Sequence, residues 1–242
     1  HVCSNGCRLR GMRFNGGAPL GWSRLERILS GRPGPTPLPV DHLPGDACRR
    51  RPAASPAVVP FAELHAVSSY SFHGGASDPE GLVARAAELG MVALALVDRD
   101  GFYGAVKFAE AAAEAELPTV FGAELTLGER VLPVLARGPE GYRRLSHLMT
   151  DVHLAAGTKG AVVYPPLAGI AEVLDGHGVA LLGSACVADV DHVVETFGMD
   201  GTVLEYAVTM TPQDADEHGK LDECRRHGLR GIVTAAPAAA TR

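Results

Sequence analysis

The chain has 242 residues, 46% of them hydrophobic, with 22 basic and 28 acidic side chains and a formal net charge of −6. That is enough apolar material for one sizeable core with about fifty residues to spare, and no apolar run approaches the roughly 20 residues that span a bilayer, which argues against a membrane segment. The first residues lack the apolar stretch of a secretory signal, and the five cysteines (Cys3, Cys7, Cys48, Cys186 and Cys224) are odd in number without C-x-x-C spacing, so a reducing, cytoplasmic setting is expected and a zinc ribbon is not.

Residues 1–55 carry nine Arg against Glu26, Asp41 and Asp46, a net of about +6, which leaves about −12 for residues 56–242. This first stretch is rich in Gly and Pro, as in Gly31-Arg32-Pro33-Gly34-Pro35, and buries too little apolar surface to offset chain entropy, so it reads as an irregular, largely disordered arm. Trp22, Leu25, Ile28 and Leu29 recur at helical spacing and predict one short helix near 22–29. Arg49-Arg50-Arg51 reads as a solvated linker rather than a phosphate-binding patch, and Met12 leaves open a later start.

From Pro60 onward, short apolar runs alternate with amphipathic stretches, the pattern of strand-helix units in a parallel sheet or barrel. Strands are predicted at Phe61–Ala66, Val92–Asp98, Thr119–Leu125, Leu132–Ala136, Val179–Gly183, Val203–Ala207 and Gly231–Ala235. Asp78 is positioned to cap a helix over Pro79–Leu89, with Pro79 in its first turn and Gly90 as its left-handed stop. Further helices are predicted over Gly101–Glu116, ended by Pro118, over Gly141–Ala155, and over Pro212–His227, whose acids lead and whose basic residues trail as the helix dipole favours. These helices are expected to coat the outside of the sheet.

In such folds chemistry gathers at the carboxyl ends of the strands. His65 ends the first predicted strand, Asp98 the second and Glu124 the third, and with Asp100 and His73 they form the one His/Asp/Glu constellation that the fold can converge. Ligands of these types around Mn or Zn would activate water for phosphoester hydrolysis. Arg99, inside Val97-Asp98-Arg99-Asp100-Gly101, opposes that reading, because it places a cation where the metal would sit. The favoured reading is an ion pair of Arg99 with Asp98, Asp100 or Glu124 in place of a metal, and no cofactor is expected. The other histidines, His147, His153, His177, His192, His218 and His227, read as exposed or locally hydrogen-bonded. Cys186 and Cys224 read as small buried hydrophobes, and Ser68 and Ser71 lack the partners of a nucleophilic triad.

Leu64-His65-Ala66-Val67-Ser68, Ser71-Phe72-His73-Gly74-Gly75-Ala76-Ser77, Leu94 through Gly104, and Phe121-Gly122-Ala123-Glu124-Leu125 together resemble the N-terminal PHP (polymerase and histidinol phosphatase) domain of bacterial C-family DNA polymerases. The likeness continues through Leu135–Leu145 and His153-Leu154-Ala155. Within that family it is nearest the actinobacterial error-prone type, whose arm has a run similar to Gly21–Gly31. The resemblance implies a distorted (β/α)7 PHP-type barrel over residues 56–242, truncated at its C-terminal end.

Checked residue by residue, the resemblance also implies damaged chemistry. Metal-binding members have His-x-His where this chain has His65 and Val67, an Asp where Gly74 stands, and Asp-His-Asp where Arg99 replaces the histidine. Val131 and Ser184 stand where a histidine and a cysteine are usual, and Ala235, Ala236 and Ala238 lie where the last ligands fall. His65 and Glu124 alone clearly remain.

The sequence therefore predicts an N-terminal PHP-like fragment of an error-prone DNA polymerase, a nucleotidyltransferase of damage-tolerant (translesion) synthesis in DNA repair and replication. The fragment itself is read as a structural, metal-free pseudoenzyme without the polymerase domain. Its expected partners are the catalytic domain of the full-length polymerase, DNA through that domain, and mutasome accessory proteins. Two alternatives stand beside it. One is a metal-dependent phosphoesterase or 3′-5′ exonuclease using His65, His73, Asp98, Asp100 and Glu124; the other is a degraded reading frame whose product has no role.

Overall fold

The computed structural model describes residues 59–158, 161–183, 190–225 and 228–240, with the backbone alone at 223 and 224. All belong to one compact unit. The basic arm with its helix near 22–29, the Arg49–Arg51 cluster, Cys3, Cys7, Cys48, Ser184, Cys186, His227 and the side chain of Cys224 lie outside the described residues.

The elements in order are β1 (Ala62–Ala66), α1 (Pro79–Glu88), β2 (Ala93–Arg99), α2 (Ala105–Glu114), β3 (Thr119–Leu127), β4 (Arg130–Ala136), α3 (Gly138–Ala156), α4 (Leu167–Leu174), β5 (Gly178–Leu182), α5 (Val190–Phe197), β6 (Thr202–Ala207), α6 (Asp214–Arg225) and β7 (Arg230–Thr234). The strands form one seven-stranded sheet in sequence order, so each pairs with its chain neighbours. The sheet curls into a nearly closed, barrel-like form with helices on its flanks. Every predicted strand is present to within a residue or two.

The expectation of parallel strand-helix units fails at β4, which runs antiparallel to both β3 and β5. The cause is local. Only Gly128 and Glu129 separate β3 from β4, and a two-residue loop permits no crossover; Gly128 supplies the positive φ of 65° that such a turn requires. Two helices, α4 and α5, were not anticipated, and α2 begins at Ala105 rather than Gly101 because Gly101–Gly104 is spent on the turn out of β2.

Other local signals act as read. Asp78 accepts a hydrogen bond from the Gly81 amide at 2.9 Å, Pro79 opens α1, and Gly90 takes φ 69° just beyond it. Side chains alternate across the sheet, as the strand period of two requires. Ala95, Val97, Leu135, Leu181 and Val203 pack inside the barrel with Leu64, Val120, Val179 and Ile232. Residues of the opposite parity face the helices. Leu94, Leu96 and Ala66 meet Leu82, Val83 and Phe108, while Leu125, Leu132, Leu182 and Leu204 meet Leu145, Ile170, Leu174 and Leu221. Each such leucine contributes roughly 1.5–3 kcal/mol on burial.

No ladder joins β1 to β7. The seam is instead closed by side chains and by residues 235–240. The Glu63 carboxylate accepts from the Ala235 amide (2.8 Å), Val67 N donates to Pro237 O (3.2 Å), Ala76 N to Ala238 O (2.6 Å), and Ala240 N to the Ser77 hydroxyl (2.8 Å).

Candidate functional site

At the carboxyl-end mouth of the parallel strands, the inward positions carry charge instead of apolar groups. Arg99 and Glu124 are register partners across β2 and β3, so their side chains share the inner face. His65 arrives from β1 and Glu205 from β6. The imidazole sits between two carboxylates, with Nδ1 2.7 Å from Glu205 Oε1 and Nε2 3.0 Å from Glu124 Oε1. An ionised carboxylate can only accept, so both ring nitrogens carry hydrogens and His65 is an imidazolium. Burial opposes that charge, but the hydrogen bonds and charges of Glu124 and Glu205 outweigh it and raise the pKa from 6.5 to about 10.

Glu124 answers in kind. Burial would raise its pKa, yet the hydrogen bond and charge of His65, then those of Arg99, hold it below the usual carboxylate value. Arg99 reaches Glu124 Oε2 through Nε and Nη2, both at 3.1 Å, so of the three acids open to it the guanidinium takes Glu124. Glu205 Oε1 also accepts the Thr234 hydroxyl at 2.7 Å. Glu63, fully buried, receives the His65 amide on one oxygen and the Ala235 amide on the other, each at 2.8 Å. Burial raises its pKa, against the pull of those amides.

Three of the predicted site residues stay apart from this cluster. Asp98 has the parity of Leu94 and Leu96 and so points to the helix side of the sheet. There, 1% exposed, it accepts the Ser68 amide (2.9 Å), the Ser68 hydroxyl (2.8 Å) and the Ser71 hydroxyl (2.9 Å). Asp100 takes a positive φ of 52° and turns back on β3, accepting the Thr126 amide at 2.9 Å and hydroxyl at 2.7 Å. His73, also at positive φ, is exposed and lies against the Phe72 ring at 4.2 Å. His65 and Glu124 are thus brought together, while Asp98 and Asp100 bond elsewhere and His73 lies exposed against Phe72.

The residues do not fit a metal ion. Both nitrogens of His65 are committed to carboxylates, Glu124 is shared between two cations, and Val67, buried beside them in sequence, offers no lone pair. Among the described residues, no group of three or more His, Cys, Asp or Glu is arranged to hold one. What the geometry supplies is an alternating chain of charge, Arg99, Glu124, His65 and Glu205, in which organic cations fill the space between carboxylates.

Glu63 and Glu205 escaped the sequence reading, although both interrupt apolar strands and a charge flanked by Val203, Leu204 and Tyr206 is a legible signal. Beside the cluster opens a cavity of about 180 Å³, lined by His65, Glu124, Glu205, Gly183, Glu217 and His218 among others. A larger apolar groove of about 670 Å³ runs between the β3–β4 hairpin and residues 162–167 and is lined by no part of the charged cluster.

Residues 63–218 match the family model described as the PHP domain. Among curated proteins, the chain is 51% identical over 251 residues to the error-prone DNA polymerase of Corynebacterium efficiens, covering 96% of this chain and 23% of that one. It is 49% identical over 185 residues to the error-prone DNA polymerase of Mycobacterium tuberculosis, covering 68% and 17%. It therefore spans less than a quarter of the length of these relatives. Solved structures share the fold at low identity. A Bifidobacterium adolescentis protein classed as a metal-dependent phosphoesterase aligns with a TM-score of 0.55 at 16% identity, over 76% of this chain and 90% of that one. An amidohydrolase from Chromobacterium violaceum aligns with a TM-score of 0.54 at 18% identity, over 74% and 87%.

Proposed function

Because this chain belongs to the PHP domain family and is homologous to the N-terminal part of actinobacterial error-prone DNA polymerases, we propose that it is the structural, metal-free PHP module of such a polymerase. Its sheet is a PHP-type barrel of seven strands with one hairpin in place of a strand-helix unit. The module braces the catalytic domain that performs nucleotidyl transfer, reaches DNA through that domain, and works in the cytoplasm with the mutasome proteins of damage-tolerant synthesis. The observation that carries this reading is His65, whose ring nitrogens are both bound to carboxylates at 2.7 and 3.0 Å. A metal needs a neutral imidazole with a free lone pair, and this ring has none.

The test is metal content and melting temperature of the purified chain with and without Mn²⁺ or Zn²⁺, alongside release of nucleotide from a DNA 3′ end. Specific binding to the folded form must raise the melting temperature. We expect no stoichiometric metal, no shift and no release. Bound metal that disappears in Glu124→Ala, together with nuclease activity, would overturn the pseudoenzyme reading.

A further inference from the structure

One arc of the barrel's rim is apolar and exposed. It begins on the loop after β1, where Phe72 is 83% exposed and Tyr70 40%. The Tyr70 ring lies 5.8 Å from Lys107 Nζ in the first turn of α2, next to exposed Val106. Tyr103, 57% exposed, precedes that turn and lies so close over Gly101 that a Cβ there would overlap its ring. The neighbouring carbonyl of Asp100 accepts from His153 Nε2 at 2.7 Å, which brings the end of α3 to the same rim, and there Leu154 is 76% exposed. The whole arc stands at the carboxyl ends of β1, β2 and β3. Single exposed apolar side chains need no explanation, but a connected run of them on one end of a barrel marks a surface that another protein surface covers.

Phe72 is not displayed by a slack loop. Beneath it Ser68 and Ser71 both donate to buried Asp98, and the Gly74 and Gly75 amides both donate to Ser71 O, at 2.7 and 3.1 Å. His73 is held at φ 61°, a conformation that a non-glycine residue keeps where the surrounding bonds over-determine it. A side chain fixed in this way loses little freedom when it is covered.

The path of the chain points to the occupant. After β7 the backbone runs along this same loop, with Ala238 O accepting the Ala76 amide at 2.6 Å and the Ala240 amide donating to the Ser77 hydroxyl at 2.8 Å. At the extended reach of a polypeptide, a residue following Arg242 lies no more than about 11 Å from Ala240. More than three quarters of the length of the Corynebacterium polymerases lies outside the part this chain matches. A domain tethered so closely meets the rim at an effective concentration on the order of millimolar, so a modest apolar contact is enough to hold it.

We propose that the rim from Phe72 through Tyr103 to Leu154 is the docking face for the polypeptide that follows Arg242 in the full-length polymerase, which meets it with an apolar surface. The proposal rests on the reading of this chain as the N-terminal module of such a polymerase. Hydroxyl-radical oxidation of the native side chains, read by mass spectrometry, tests it without any substitution. The full-length polymerase and the 242-residue chain are oxidised side by side in the absence of DNA, with buried Phe108 staying unoxidised in both as the sign of a folded barrel. Because a packed interface excludes water, Phe72, Tyr103 and Leu154 are expected to oxidise at least about fivefold more slowly in the polymerase. Leu89 and Met199, exposed at the opposite end of the barrel, should oxidise at the same rate in both. Equal oxidation of the three rim residues in an active polymerase, or protection of Leu89 and Met199 instead, would overturn the proposal. So would rim protection that disappears on dilution, which would assign the face to a second copy. A full-length protein without primer-extension activity would refute the polymerase reading itself, and this proposal with it.

Discussion

The imidazolium of His65 makes folding stability depend on pH in a window where few proteins respond. In the unfolded chain His65 loses its proton near pH 6.5, whereas in the folded protein the Glu124 and Glu205 carboxylates hold it to about pH 10. A raised folded pKa contributes stability that is complete below 6.5 and is lost as the pH climbs through 10. Across the window the native state holds one proton more, so stability falls by about 1.4 kcal/mol per pH unit. The full window amounts to roughly 4–5 kcal/mol, comparable to the 3–5 kcal/mol expected when a buried ion pair loses one partner. Urea unfolding followed by far-UV circular dichroism at pH 6, 7.5, 9 and 10 reads this directly. The midpoint should decline with pH in the native sequence, and the His65-dependent part of that slope should vanish in His65→Gln. The reasoning fails if His65→Gln keeps the native slope, or if NMR at pH 8 finds one ring nitrogen without a hydrogen.

Three further variants test the surrounding structure. The Tyr164 hydroxyl is buried near the Asp100 carboxylate, and burial together with that charge raises its pKa; among the described residues it makes no well-formed hydrogen bond, so Tyr164→Phe should change stability by less than about 1 kcal/mol, and a larger loss in urea unfolding would show that the hydroxyl is firmly bonded. A Cβ on Gly75 would run into the carbonyl of Ser68, and Gly75→Ala should cost about 1–3 kcal/mol or more, a claim refuted by an unchanged thermal midpoint. Replacing both Val67 and Arg99 by histidine removes the competing cation and adds two ligands near His65 and Glu124. Zn²⁺ at about a hundred times its Kd should then stabilise the double variant by about 2.7 kcal/mol, leaving the native sequence unmoved; calorimetry that finds no difference between the two would refute the reading of Arg99 as a metal substitute.

Much of the barrel was legible because strand and helix signals agreed: apolar runs of five to seven residues gave the strands, and Asp78, Pro79 and Gly90 marked α1 at both ends. The direction of β4 departs from the parallel expectation because Gly128-Glu129 is a two-residue turn between Leu127 and Arg130, which only an antiparallel pair can use. The reversal also changes where the site finds its residues, since Val131 and Pro133 meet the mouth from the start of a strand rather than its end. His65 and Glu124 were found through position at strand ends, but Asp98 was misplaced because strand-end position was weighed without parity, which puts it with Leu94 and Leu96. Glu205 carries a legible signal, a charge inside an apolar strand, but not the identity of its partner. Its role depends on a histidine 140 residues earlier, a distance over which no local pattern carries information.

A ladder fixes the separation of two strands at about 4.8 Å, because backbone atoms of invariant length set it. Between β1 and β7 that measure is replaced by the reach of Glu63, which spans from the His65 amide to the Ala235 amide, with the bonds of Val67 and Ala76 to Pro237 and Ala238 holding the chain just beyond. At this one place the barrel's circumference is written partly in a side chain, and an aspartate at 63, one methylene shorter, would have to draw the two strands together or let go of one amide.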